Sequence, residues 1–316
     1  MSATLPVLLV LFSILSVALA LNNSPIIGIF SQPSTSNLGN CNGDCLYIAA
    51  SYVKYLEASG ARVVPIDFDA TDAELDSLLG SLNGLLFPGG GAAFPKSAQY
   101  AFDKVRAMND AGDPFPLWGT CMGFQWLLLA ASDVALDPPT GQMDSYNISL
   151  SLNFTSTYAD SRVLGGAPVA VLEALSREAV TMNNHHYGIY PDHFASTPAL
   201  SSFYNLLSTS QDRQGVPFVS MMEAFNYPIF GSQWHPEKNN FEWAETADGT
   251  PAEAIDHSPN AVMVSQYMAT FFVNQARLSA HSYSSEAAED AALIYNYTPT
   301  KSSSGGSFVQ SYYFHF

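Results

Sequence analysis

From residue 25 onward, short β-branched runs alternate with helical segments, and no other feature of this sequence narrows the fold as far. Parallel strands cannot be joined by a tight turn. Each crossover needs a long connection, usually a helix, so this alternation points to a parallel sheet covered on both faces. Ile26 to Phe30 reads as the first strand. Leu46 to Ser59 reads as a helix with Ile48, Tyr52, Tyr55 and Leu56 on one face and Gly60 at its carboxyl cap. Arg62 to Ile66 is the next strand, followed by a helix from Thr71 to Leu82 that opens with Thr71 and Glu74 at capping-box spacing. Gly84 to Phe87, Ser97 to Asn109 and Pro116 to Gly119 complete a β-α-β-α-β-α-β run. The second half is less regular, with β-prone runs at Ser149 to Phe154 and Val163 to Leu164. A hairpin follows, Phe218 to Ala224 returning along Ile229 to Trp234. Ser258-Pro259 caps a long helix with Val264, Met268, Phe271 and Phe272 on one stripe, and Ser311 to Phe316 reads as a final strand. With 47% hydrophobic and only 12% charged residues in 316, the pattern implies a packed core and not a disordered segment. No linker or repeat divides it. Residues 21–316 therefore read as one three-layer α/β domain, its central sheet mostly parallel with helices on both faces.

The amino end sets the compartment. Residues 1–20 carry no charged side chain, and the mostly apolar stretch Pro6 to Ala20 ends in Ala18-Leu19-Ala20, the pattern of a secretory signal peptide cut after Ala20. It is too short to span a bilayer, and no later segment is apolar enough to do so. Sequons at Asn22, Asn147, Asn153 and Asn296 agree with export along the secretory pathway as a glycoprotein. With three cysteines, an exported chain keeps at least one thiol unpaired or bonded to another molecule. Cys41 and Cys45, four apart in a Gly/Asn-rich segment, suit a local disulfide, which leaves Cys121 as the free thiol. Lys and Arg total 11 against 28 Asp and Glu, and the net charge of −17 excludes nucleic acid as a partner.

Cys121 carries the strongest chemical signal. Leu117-Trp118-Gly119-Thr120-Cys121-Met122-Gly123-Phe124 places it between a short strand and an apolar helix, with glycine two residues to either side. A sharp strand-to-helix turn needs such glycines, because side chains there would clash, and the helix N-terminus behind the turn favours a thiolate. Phe87-Pro88-Gly89-Gly90-Gly91 follows the third strand and should face Cys121 across the crevice at the carboxyl ends of the strands. The N–H groups of Gly90 and Met122 would there form a two-donor oxyanion hole. His235 comes directly after the last expected strand, in Gln233-Trp234-His235-Pro236-Glu237, and so reaches the same edge with Glu237 two residues on to orient it. Asn183-Asn184-His185-His186-Tyr187 is a polar cluster suited to an anionic substrate. It lacks the ligand spacing of a metal site.

Together, Phe87-Pro88-Gly89-Gly90, Gly119-Thr120-Cys121-Met122-Gly123-Phe124 and Gln233-Trp234-His235-Pro236-Glu237-Lys238-Asn239 resemble the γ-glutamyl hydrolase family, secreted and lysosomal or vacuolar enzymes of the class I glutamine amidotransferase-like superfamily. Tyr47 to Glu57 and Phe241-Glu242-Trp243 look like that family as well. The resemblance implies hydrolysis of γ-linked glutamyl bonds in folate poly-γ-glutamates through a thioester, without a cofactor. It casts Cys121 as nucleophile, His235 as general base and acid, and Glu237 as the third member. His185 matches a family histidine near the substrate, and Gln125 stands in the substrate region where the family usually shows Glu. His185 and His186 are expected to become cationic in an acidic organelle, and the expected optimum of kcat/KM lies at roughly pH 4.5 to 6.5. A glutaminase of the amidotransferase type, which Gln125 favours, and a catalytically silent binding glycoprotein are the rival readings. The sequence leaves a homodimer open.

Overall fold

The computed structural model describes residues 21–34, 45–132, 143–301 and 307–316. The expected signal peptide at residues 1–20 and Cys41 of the expected disulfide lie outside them. Cys45 is disulfide-bonded and Cys121 is a free, buried thiol.

The described residues form fourteen strands: β1 Ile26–Phe30, β2 Gln32–Pro33, β3 Leu46–Ala49, β4 Arg62–Ile66, β5 Gly84–Phe87, β6 Leu117–Thr120, β7 Ser145–Leu150, β8 Asn153–Phe154, β9 Thr181–His185, β10 Tyr204–Gln211, β11 Pro217–Ala224, β12 Ile229–Ser232, β13 Thr300–Lys301 and β14 Gln310–Phe314. Eight form the central sheet in the order β4-β1-β5-β6-β12-β11-β10-β8. From β4 to β12 the strands run parallel, and from β12 onward neighbours are antiparallel. The joints between parallel strands carry the helices α1 Ala50–Glu57, α2 Asp72–Leu79, α3 Lys96–Asp110 and α4 Met122–Ala131.

Period-two alternation along the strands splits the core into two layers. Ile27 and Ile29 of β1 join Val63, Leu86, Trp118 and Phe230 beneath α1 and the long helix Pro259–Ala276, whose Val264, Met268 and Phe272 face the sheet. Ile26 and Phe30 point the other way, with Val64, Leu85, Phe87 and Leu117, and pack under α2, α3 and α4. Every residue of β1 and β5 is buried, as strands covered on both faces must be. The capping box is formed, with Glu74 N–H donating to Thr71 Oγ1 and Thr71 N–H to Glu74 Oε2 at 2.8 Å.

Three local expectations are corrected. Leu46–Ala49 is a strand and the helix begins only at Ala50, because β14 pairs with β3 (Tyr312 with Ile48, Phe314 with Leu46). The expected final strand thus forms, but in a separate four-stranded sheet, β13-β14-β3-β2, and its pairing overrides the helical periodicity of Ile48. Gly60 still makes the left-handed turn, at φ +85°, although α1 has already ended at Glu57. Val163 and Leu164 lie in the helical turn Arg162–Gly165, capped by Ser161 Oγ accepting from Leu164 N–H at 3.0 Å. The run Ser149 to Phe154 is broken between β7, which pairs with β9, and β8, which edges the central sheet. The long strand β10 carried no sequence signal, since Ser and Thr interrupt its apolar residues. No helix among the described residues is long and apolar enough to cross a membrane.

Candidate active site

Cys121 is the single residue between β6 and α4, with φ +53° and ψ −104°, a conformation that L-residues rarely hold. The surroundings enforce it. Cys121 N–H donates to Ser232 O of β12 at 2.8 Å, and Cys121 O already accepts the first helical bond from Gln125 N–H at 3.1 Å. The flanking glycines are required by contact: a Cβ on Gly119 would lie 2.5 Å from Gly123 O, and one on Gly123 would collide with the carbonyl of Phe87. The expected strand-to-helix elbow is therefore present.

The Gly89–Gly90 turn follows β5, the neighbour of β6. Gly123 N–H donates to Pro88 O at 3.0 Å, Gln32 Nε2 donates to Gly89 O at 2.5 Å, and Gly89 N–H donates to Tyr52 Oη at 2.7 Å. Among the described residues, the N–H groups of Gly90 and Met122 have no protein acceptor. Two unspent backbone donors beside a thiol are what a developing oxyanion needs.

His235 emerges beyond β12, which runs parallel to β6, so both side chains arrive at one edge of the sheet. Its N–H donates to Met182 O of β9 at 2.8 Å, and its Nδ1 donates to Glu237 Oε1 at 2.8 Å. Cys121 and His235 are each 5% exposed and Glu237 is fully buried. Burial works against the charged imidazole. The negative charges of Glu237 and Cys121, with hydrogen bonds to both, overcome it and hold His235 up to about 10. A thiol, an imidazole and a carboxylate in this relation can carry nucleophilic acyl transfer.

The polar cluster is placed differently from the expectation. His185 Nδ1 donates to Tyr187 O at 2.7 Å, Gln125 Nε2 donates to the same oxygen at 3.1 Å, and His185 Nε2 lies 3.2 Å from Asn183 Oδ1. Desolvation drives His185 down to about 3. Its bond to Tyr187 O opposes that drop, while repulsion from His235 and His186 reinforces it. His185 therefore stays neutral in an acidic organelle, which corrects the expectation of a cation there. Asn184 is spent as well, donating from Nδ2 to Glu253 Oε1 at 2.5 Å, and Glu253 pairs with the buried Lys238. His186 is exposed and stacks on Tyr146 with ring centroids 4.9 Å apart.

Sequence reasoning missed Tyr52 and Gln32. Tyr52 was visible only as one of the apolar-face residues of α1. A hydroxyl on a face that must be buried was the available signal, since it has to find a partner.

This fold and site define a class I glutamine amidotransferase unit, and residues 44–247 match the family model described as glutamine amidotransferase class-I. The chain is 39% identical over 298 residues to gamma-glutamyl hydrolase B of Dictyostelium discoideum, across 92% of this chain and 83% of that one. It is 40% identical over 295 residues to human gamma-glutamyl hydrolase (92% and 89%) and 38% identical over 289 residues to gamma-glutamyl hydrolase 1 of Arabidopsis thaliana (89% and 79%). The chain belongs to the γ-glutamyl hydrolase family.

Proposed function

We propose that this chain hydrolyses the γ-glutamyl bonds of folate poly-γ-glutamates through a thioester on Cys121, with residues 21–316 acting as one domain. The observation that carries the reading is Cys121 on its elbow against the His235–Glu237 pair, in a chain of this family. The Cys121 thiolate adds to the carbonyl carbon of the γ-amide, and the carbonyl oxygen takes up the negative charge opposite the N–H groups of Gly90 and Met122. His235 gives its proton to the amide nitrogen, the C–N bond breaks, and a glutamate or shorter glutamyl peptide leaves with a free amine. Water then adds to the thioester while His235 takes one of its protons. The C–S bond breaks, releasing the γ-carboxylate and regenerating the thiolate–imidazolium pair. Glu237 keeps the imidazole oriented and its charge balanced without exchanging a proton.

His185 and Gln125 enter as shapers of the substrate wall. Both spend their donors on Tyr187 O, so they fix the strap that carries Tyr187 and His186. Export rests on the signal-like residues 1–20 and the sequons, with a lysosome, a vacuole or the extracellular space as destination. Asn153 is exposed on the edge strand β8 and suits a glycan. At Asn296 the amide nitrogen that a glycan would occupy donates to the carbonyls of Asp290, Ala291 and Leu293, which opposes modification.

The test is chromatography of the products from folate pentaglutamate, run with Cys121→Ala beside the parent. Shortened folates from the parent alone support the reading. A parent that leaves the tail intact but releases ammonia from glutamine returns the protein to the glutaminase reading. A mature amino end at Leu21 and a drop in apparent mass on enzymatic deglycosylation would support export; a cytosolic, unglycosylated full-length product would remove it.

A further inference from the structure

Tyr52 sits in the first turn of α1, 1% exposed, with its hydroxyl under the site floor. Its Oη accepts the Gly89 N–H at 2.7 Å and stands 3.4 Å from His235 Nδ1. That nitrogen is the one held by Glu237 Oε1 at 2.8 Å, so the phenol stands against the proton-transfer pair. The junction has no slack: a Cβ on Gly89 would lie 2.6 Å from His235 Cε1, 2.7 Å from Tyr52 Oη and 3.2 Å from Cys121 Cβ. Tyr55, one turn on in the same helix and 2% exposed, provides the contrast, since its hydroxyl has no hydrogen-bond partner among the described residues. Two buried phenols thus lie side by side on α1, and only one is wired to the site.

We infer that Tyr52 is a positioning residue of the hydrolytic site, whose hydroxyl fixes the Gly89–Gly90 turn relative to the His235–Glu237 pair. The inference rests on the reading of Cys121 as nucleophile given above. An oxyanion donor lowers a barrier only when it is already in place as the charge develops, and a 1 Å misplacement can cost about 10²-fold in rate. Gly90 follows Gly89 directly, so the bond from Gly89 N–H to Tyr52 Oη sets where the Gly90 N–H stands. The same hydroxyl abuts the imidazole that Glu237 holds. The donor and the proton-transfer pair, carried on β5 and β12 with β6 between them, are held in register by a third element, α1.

The test is Tyr52→Phe, with Tyr55→Phe as control, on a parent whose turnover is first shown to vanish in Cys121→Ala. Tyr52→Phe is expected to lower kcat by about tenfold to 10²-fold, with KM within about twofold of the parent, because the lost interaction serves the transition state. Alkylation of Cys121 by iodoacetamide forms no oxyanion, so its rate should stay within about twofold of the parent. Tyr55→Phe should keep the parent kcat. Parent-like kcat in Tyr52→Phe, an alkylation rate that falls in step with kcat, or an equal loss in Tyr55→Phe would each overturn the inference. Gly89→Ala attacks the same junction from the loop, so the question survives a Tyr52→Phe chain that does not fold. Lowered kcat with a kept KM supports the coupling, and an unaffected kcat refutes it. Turnover retained by Cys121→Ala would instead sink the nucleophile assignment, whatever Tyr52 does.

Discussion

His235 and His185 line adjoining parts of one wall, each 5% exposed, yet His235 is held up to about 10 while His185 is driven down to about 3. Desolvation opposes the cation in both places. The difference lies in what each ring nitrogen meets. His235 meets a carboxylate and a sulfur that can carry negative charge, whereas His185 meets a carbonyl oxygen and an amide and is repelled by His235 itself. In a dry pocket one carboxylate within hydrogen-bond distance outweighs burial, and neutral partners do not. One histidine is thereby equipped to hold and move a proton, and the other to stay a neutral strut beneath Tyr187.

The most drastic way to break this contrast is Cys121→Ala. Turnover should vanish, and His235 should titrate lower than in the parent because one of its two anionic neighbours is gone. NMR of the His235 ring reads the second effect, and an unmoved titration would assign the whole upward shift to Glu237. His235→Ala should cost about 10²-fold or more in kcat/KM, the scale of general acid–base catalysis, and a loss below about tenfold would place the proton transfer elsewhere. Glu237→Gln should cost less, about tenfold to 10²-fold, since the carboxylate orients without exchanging a proton. It also makes the surroundings of His235 resemble those of His185, so the His235 titration should drop sharply. A titration still near that of the parent would mean that the comparison names the wrong cause.

The smallest effects concern stability against pH, where the two sites act with opposite sign. The His235 titration is raised above its unfolded value of 6.5, so its contribution is complete below about 6.5 and is lost as pH rises through about 10. His185 is lowered from 6.5, so its contribution is present above about 6.5 and is lost as pH falls toward 3. Burial raises Glu242 to about 7, although the bond it accepts from Val309 N–H opposes the rise, so its folded carboxyl favours stability in acid and gives that up between about 4.5 and 7. Melting temperatures should therefore respond to Glu242→Gln more at about pH 8 than at about pH 5, as the buried charge is removed. An equal response at both would show that Glu242 does not titrate in this range.

Legibility in the sequence followed the range of the interactions. The strands β1, β4, β5 and β6 and the capping box of α2 rest on local pattern and were readable. Cys121 was readable too, because its elbow is announced by Gly119 and Gly123 within two residues. Leu46–Ala49 was misread, because the partner that makes it a strand lies at Tyr312 to Phe314, at the far end of the chain. The donors of His185 and Gln125 were expected to face substrate, and no local signal could say that both would turn to the carbonyl of Tyr187.

By itself the sequence determined the layered sheet, the elbow, and the arrival of Cys121 and His235 at one edge, since strand ends and turn glycines are encoded within a few residues of where they act. Only the tertiary structure decided the charge on each histidine, the turn of the His185 and Gln125 donors to the Tyr187 carbonyl, and the partner of the Tyr52 hydroxyl. Those are set by electrostatics and hydrogen bonds between segments far apart in the chain, at distances of a few ångströms that appear only once the layers have closed.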